Sequence, residues 1–99
     1  MNLAAIVAAK AALIGRSFTT KRRKAEFVVI GISDCGIKIG VGSSNNERRI
    51  SPTEVDLMGA CWKEFKAGII TRSELANGDP KIFNTSYLEV IFTEIETHH

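Results

Sequence analysis

Between Ser51 and Gly68 the apolar residues recur at helical spacing. At about 100° per residue, Val55, Leu57, Met58, Cys61, Trp62 and Phe65 share one face, while Asp56, Lys63, Glu64 and Lys66 take the other. Ser51, Pro52 and Glu54 form a capping box with proline at the first helical position. Gly68 supplies the residue type that best tolerates the left-handed conformation past a helix end. The spacing therefore predicts a helix over 51–68 whose apolar face is core. Its outward side mixes both charge signs and favours no particular partner.

The remaining pattern falls on either side of that helix. The opening MNLAAIVAAKAALIG predicts a helix ended by Gly15. Leu3, Ile6, Val7, Leu13 and Ile14 share a face with Lys10, and Ala4, Ala5, Ala8, Ala11 and Ala12 lie opposite, so no polar face exists. Two readings stand: the alanines face water at little cost, or residues 3–14 pack against a second copy in a homodimer. RSFTTKRRKAEF then reads as a polar link, its basic run Lys21–Lys24 being either a solvated loop or a footprint for phosphates. Ala25–Ile32 predicts a strand, Ser33–Gly36 a turn, and Ile37–Val41 a strand with Ile37, Ile39 and Val41 inward and Lys38 and Gly40 outward. Gly42–Glu47 is a second turn, and Arg48–Ile50 a short third strand.

Beyond Gly68, Ile69 and Ile70 are expected to plug the core. Thr71–Glu74 is a second capping box opening a short helix through Leu75 and Ala76, which Asn77–Pro80 stops. Lys81–Phe83 bridges to a last helix starting near Asn84 or Ser86, with Ser86 and Glu89 as a third capping box. Tyr87, Leu88, Ile91, Phe92 and Ile95 make its apolar stripe, with Glu89, Thr93 and Glu96 outward. The expected fold is α+β in one domain, 1–99: an N-terminal helix (1–15), a three-stranded antiparallel β-meander (25–50), a three-helix cluster (51–95) and a tail (96–99).

Composition changes little in this picture. A 44% hydrophobic and 24% charged chain is ordinary for a globular domain, and 99 residues suffice for one core. The first helix has no basic leader, and Lys10 interrupts its apolar run, so a signal peptide and a membrane span are both rejected and a cytoplasmic location is expected. Cys35 and Cys61 read as reduced thiols, with a disulfide as the alternative. Without a secretory signal, the glycosylation pattern Asn84-Thr85-Ser86 is read as chance.

Charge changes more. Residues 1–50 hold nine cations against three acids, or +6, whereas residues 51–99 hold four against eight, or −4. That division points to an anionic partner for the basic half. Lys21, Arg22, Arg23, Lys24, Arg48 and Arg49 are expected to converge at one sheet edge as phosphate contacts, because the first and third strands of a meander start at the same end. Arg72, beside Ser73 on the short helix, is a further candidate; Glu89, Glu94 and Glu96 on the last helix would repel phosphates. The partner expected is nucleic acid, DNA before RNA. GIKIGVGSS is not a phosphate loop, since no Gly-Lys-Ser/Thr and no helix follows it. Histidine occurs only as His98 and His99, which receive no role; neither cysteine has a histidine partner, and no metal-ligand spacing appears. Catalysis, a cofactor and a metal are therefore not expected.

Arg49, Ile50, Ser51, Trp62, Gly68, Ile70, Thr71, Ser86 and Tyr87 carry a resemblance. Over residues 17–95 the chain resembles a small tail domain of restriction and other defence-associated proteins: a short hairpin, a helix with Trp, then Gly-x-Leu/Ile-Thr, then Ser-Tyr and an apolar helix. The resemblance implies a winged-helix-like accessory module of nucleic-acid-processing systems. Two functions follow: a non-catalytic nucleic-acid-binding domain, or a protein-binding module. The latter would be a small inhibitor or adaptor acting on a defence complex, docking through the acidic helical half or the N-terminal helix.

Overall fold

The structure is a computed structural model and describes residues 2–21, 23–42, 46–78 and 81–97. Helices α1 (Leu3–Ala8) and α2 (Lys10–Leu13) come first, followed by strands β1 (Ser17–Thr19), β2 (Glu26–Ser33), β3 (Gly36–Val41) and β4 (Asn46–Ile50). Helices α3 (Pro52–Ala60), α4 (Trp62–Lys66), α5 (Arg72–Ala76) and α6 (Thr85–Thr97) complete the α+β fold. The four strands form one antiparallel sheet in the order β1-β2-β3-β4.

The sheet has one strand more than the pattern predicts. Ser17–Thr19 carries a single apolar residue, too little for period-2 alternation, and becomes a strand only by pairing with β2. Phe18 lies opposite Phe27, their ring centroids 5.7 Å apart, and is buried in the core. The basic link is therefore a hairpin loop. It is closed at its base by Thr20 N–H to the Ala25 carbonyl (2.9 Å) and Ala25 N–H to Thr20 Oγ1 (3.0 Å).

A bulge in β2 sets which residues reach the core. Val29 pairs with Ile39 but Gly31 pairs with Lys38, so Ile30 is the extra residue. Strict alternation from Phe27 would have turned Ile32 to the outer face; the bulge returns it beside Ile37. Phe27, Val29, Ile32, Ile37, Ile39 and Ile50 thus share the inner face with the helices. Gly40, expected outward, is on the outer face but buried, because Val28 and Ile30 lie across it. At the β2–β3 turn, Gly36 has φ +116°, and a Cβ there would stand 2.2 Å from the Ile50 carbonyl oxygen.

The predicted 51–68 helix is present, with an interruption. Ser51 Oγ accepts from Glu54 N–H at 3.2 Å, but the backbone at Cys61 (φ −109°, ψ 12°) leaves helical geometry and separates α3 from α4. There the Cys61 thiol and its own N–H both donate to the Leu57 carbonyl, each at 3.2 Å. Val55, Met58 and Trp62 are buried; Leu57, Cys61 and Phe65 are half-buried at its margin. Gly68, at φ +79°, ends α4 in a Schellman motif: Ile69 N–H donates to Glu64 O and Gly68 N–H to Phe65 O. That turn corrects the expected core plug, because it swings Ile69 into water at 70% exposure and leaves Ile70 half-buried.

The capping box of α5 is complete, with Thr71 and Glu74 bonding reciprocally. The third one does not form; Ser86 and Glu89 both receive hydrogen bonds from Arg72 instead. In the N-terminal pair, Leu3, Ile6 and Leu13 are buried, while Ala4, Ala5, Ala8, Ala11 and Ala12 are exposed in the single chain. Cys35 and Cys61 are free thiols. Within the predicted turns and tail, Ser43–Asn45, Asp79, Pro80, His98 and His99 lie outside the described residues. Among the described residues, no helix is long and apolar enough to cross a membrane.

Candidate nucleic-acid interface

The seven predicted cationic positions separate into distinct places. Lys21, Arg23 and Lys24 belong to the β1–β2 hairpin loop, and Arg22 lies outside the described residues. Lys24 holds φ +52°, the one non-glycine with positive φ among the described residues. Lys21 reaches toward α6, its Nζ 3.5 Å from Thr93 Oγ1. On β4, Arg48 pairs with Ile39 and Arg49 with Lys38, so the period-2 alternation of a strand sends them to opposite faces of the sheet. That divides the cluster expected at one edge. Arg48 shares the inner face with the helices, and Arg49 stands outside with Lys38 and Glu47.

Arg48 is held in a specific pose. Its guanidinium carbon lies 5.7 Å from the Tyr87 ring centroid, and Nη1 donates to Asn84 Oδ1 at 3.5 Å. Tyr87 is fixed from behind by Phe27, edge-on at 5.1 Å. Beside this pair opens a cleft of about 150 Å³ lined by Thr20, Arg23, Ala25, Arg48, Phe83, Ser86 and Tyr87. The β1–β2 loop, the edge strand β4 and the start of α6 therefore meet around two guanidinium groups. Among the described residues that line it there is no carboxylate.

Phe83 stands at that cleft with 75% of its surface exposed, although its neighbours Ile82 and Asn84 are buried. Its backbone is pinned: Glu54 Oε1 accepts from Phe83 N–H at 2.7 Å and from Asn84 N–H at 3.2 Å. Asn84 Nδ2 donates to both oxygens of the same carboxylate, at 3.2 and 3.0 Å. Sequence reasoning missed both residues as functional. In the sequence Phe83 reads as part of a bridge between helices and Glu54 as part of its own helix cap, and neither carries a local functional signal.

Electrostatically, the carboxylates of α6 are partnered locally. Each α6 glutamate expected to repel phosphates has a cation beside it: Glu89 meets Arg72, Glu94 meets Arg16, and Glu96 meets Lys66 at 2.7 Å. Lys66 holds the Glu96 carboxyl below its ordinary range, chiefly by that hydrogen bond. Arg72 is committed as well, bonded to Glu89 and Ser86 with its guanidinium carbon 5.6 Å from the Phe65 ring centroid. Among the described residues, Lys21, Arg23, Lys24, Arg48 and Arg49 stand outside the ion pairs.

Other chemistry has little to work with. Burial pushes the Cys61 thiol up from its ordinary pKa, and the Glu64 carboxylate adds to the shift, which opposes thiolate formation. Among the described residues, no group of three or more His, Cys, Asp or Glu side chains could hold a metal ion. No protein-family model, curated protein or solved structure matches this chain.

Proposed function

We propose that the protein is a non-catalytic nucleic-acid-binding domain that grips phosphates at the cleft between the β1–β2 loop, β4 and the start of α6. The observation that carries this reading is the pairing of Arg23 and Arg48 in one cleft, with no carboxylate among its described lining residues, beside the β1–β2 loop. Guanidinium groups donate in a planar fork suited to phosphate oxygens. Arg48 is partly pre-organised by Tyr87 and Asn84, so less side-chain freedom is lost on binding. Lys21 and Lys24 extend the positive field along the loop, and Arg22 adds a further cation to that run in the sequence, while Arg49 and Arg72 stand apart from the cleft as secondary contacts. The resemblance of residues 17–95 to a winged-helix-like accessory domain of restriction and defence proteins supports the same assignment. DNA is the first partner to test.

The test is an electrophoretic mobility assay across salt concentrations. Binding that weakens linearly on logarithmic axes, with a slope reduced by about 2 in Arg23→Glu/Arg48→Glu, is expected if each residue meets one phosphate. Absence of binding at low salt, or a double variant identical to the parent, refutes the reading and leaves the protein-binding alternative.

A further inference from the structure

A single exposed apolar side chain is ordinary on a protein surface. Phe83 differs in how it is held. Its chain neighbours Ile82 and Asn84 are 3% and 6% exposed, and its own N–H donates to Glu54, so the backbone that carries the ring is anchored with the side chain outward. Leaving that ring in water forgoes roughly 1.5–3 kcal/mol of burial. The ring therefore stands on an anchored backbone, at the wall of a cleft whose other walls carry Arg23, Arg48 and Tyr87.

An aromatic face beside guanidinium groups is the combination that single-stranded nucleic acids use. Stacking needs a π-face that a paired base keeps inside its duplex, whereas phosphates are available in both forms. Charge alone would serve a duplex as well as a single strand; Phe83 adds what only an unpaired base can meet. We infer that the Arg23/Arg48 cleft binds single-stranded nucleic acid in preference to duplex, with one base stacked on Phe83 and the adjacent phosphates on the two arginines. This rests on the phosphate-binding role proposed above and adds the class of substrate. Ser86, which also lines the cleft, offers a hydroxyl to a base edge or a sugar.

The experiment is fluorescence anisotropy with a labelled mixed-sequence oligonucleotide as single-stranded DNA, as single-stranded RNA and as the DNA duplex. The full chain is compared with Phe83→Ala and Phe83→Trp, after thermal melts establish that the variants remain folded. Single strand of either sugar should bind more tightly than duplex, and the tighter of the two identifies the sugar. Phe83→Ala should weaken single-strand binding by roughly 5- to 100-fold. It should leave duplex binding within about twofold, since duplex contacts would be phosphate contacts alone, and Phe83→Trp should restore the single-strand preference. Equal affinity for both forms, with Phe83→Ala neutral on each, overturns the stacking inference while leaving the phosphate contacts standing. No binding of any oligonucleotide at low salt removes both.

Discussion

Glu54 joins two parts of the molecule that are distant in sequence, and its removal is the sharpest test of how the cleft is built. In Glu54→Ala, Ser51 still accepts the first-turn N–H, so α3 keeps its cap. What is lost is the acceptor for Phe83 N–H, Asn84 N–H and Asn84 Nδ2. Phe83 is exposed and its amide can turn to water, but Asn84 is 6% exposed and leaves two donors without a partner. At about 1–3 kcal/mol per unsatisfied buried group, and toward the low end where water can enter, the expected loss is about 2–4 kcal/mol. Glu54→Gln keeps a carbonyl acceptor and forfeits charge assistance, and should lose about 1 kcal/mol. Urea unfolding at neutral pH with linear extrapolation measures both, provided the denaturant slope stays constant across the series. A double-mutant cycle with Asn84→Ala should show coupling above about 0.5 kcal/mol, the scale separating contacting from independent sites. Glu54→Ala losing less than about 0.5 kcal/mol, as for an ordinary surface change, would refute the bridging role. Loosening Asn84 also frees Arg48, so nucleic-acid affinity should fall in the same variant.

Three further outcomes follow from packing, backbone and charge. Trp62 is 5% exposed, stacked on Phe65 at 5.9 Å and edge-on to Phe92 at 5.3 Å; Trp62→Ala should cost about 3–5 kcal/mol in denaturant unfolding, and unchanged stability would contradict the core described. Gly36→Ala combines positive φ with a Cβ placed 2.2 Å from the Ile50 carbonyl, so a loss above about 2 kcal/mol is expected from strain and clash together, visible as a lower melting temperature. The Glu96 carboxyl is depressed in the folded state by Lys66. Its stabilisation is therefore fully present above the unfolded value of about 4.3 and is lost as pH falls through the lower folded value. The pair is solvent-exposed, so Lys66→Ala should cost at most about 1 kcal/mol through the ion pair at pH 7, with that part vanishing in acid and shrinking in high salt. Melts of both proteins from pH 7 to pH 2 measure it; a difference that grows in acid would contradict the sign.

Much of the local structure was legible in the chain itself. The start and stop of the 51–68 helix, the capping box at Thr71 and the turn at Ser33–Gly36 depend on residues within one turn of each other. Such interactions need no distant partner, and the sequence by itself determined them; the equally local Ser86–Glu89 box gave way to Arg72. The inward positions of β3 and the stripe of α6 follow from fixed periods of two and about 3.6 residues, and the structure buries Ile37, Ile39, Leu88, Ile91, Phe92 and Ile95 accordingly. The uneven division of charge was equally plain, since it is a count.

Tertiary structure decided the rest. Ser17–Thr19 became a strand only because β2 offered an edge, and the bulge at Ile30 exists because the register must return Ile32 to the core. One ion pair bridges the charge division, Arg16 to Glu94, while Lys66 and Arg72 meet Glu96 and Glu89 within the acidic half. Arg48 and Arg49, adjacent in the chain, went to opposite sides of the sheet, while Arg23 and Arg48, 25 positions apart, came to line one cleft. Phe83 acquired its place from a carboxylate 29 residues earlier. A site assembled from a loop, an edge strand and a helix start has no local signature, because its geometry is set by the packing of elements whose order in the chain says nothing of their distance.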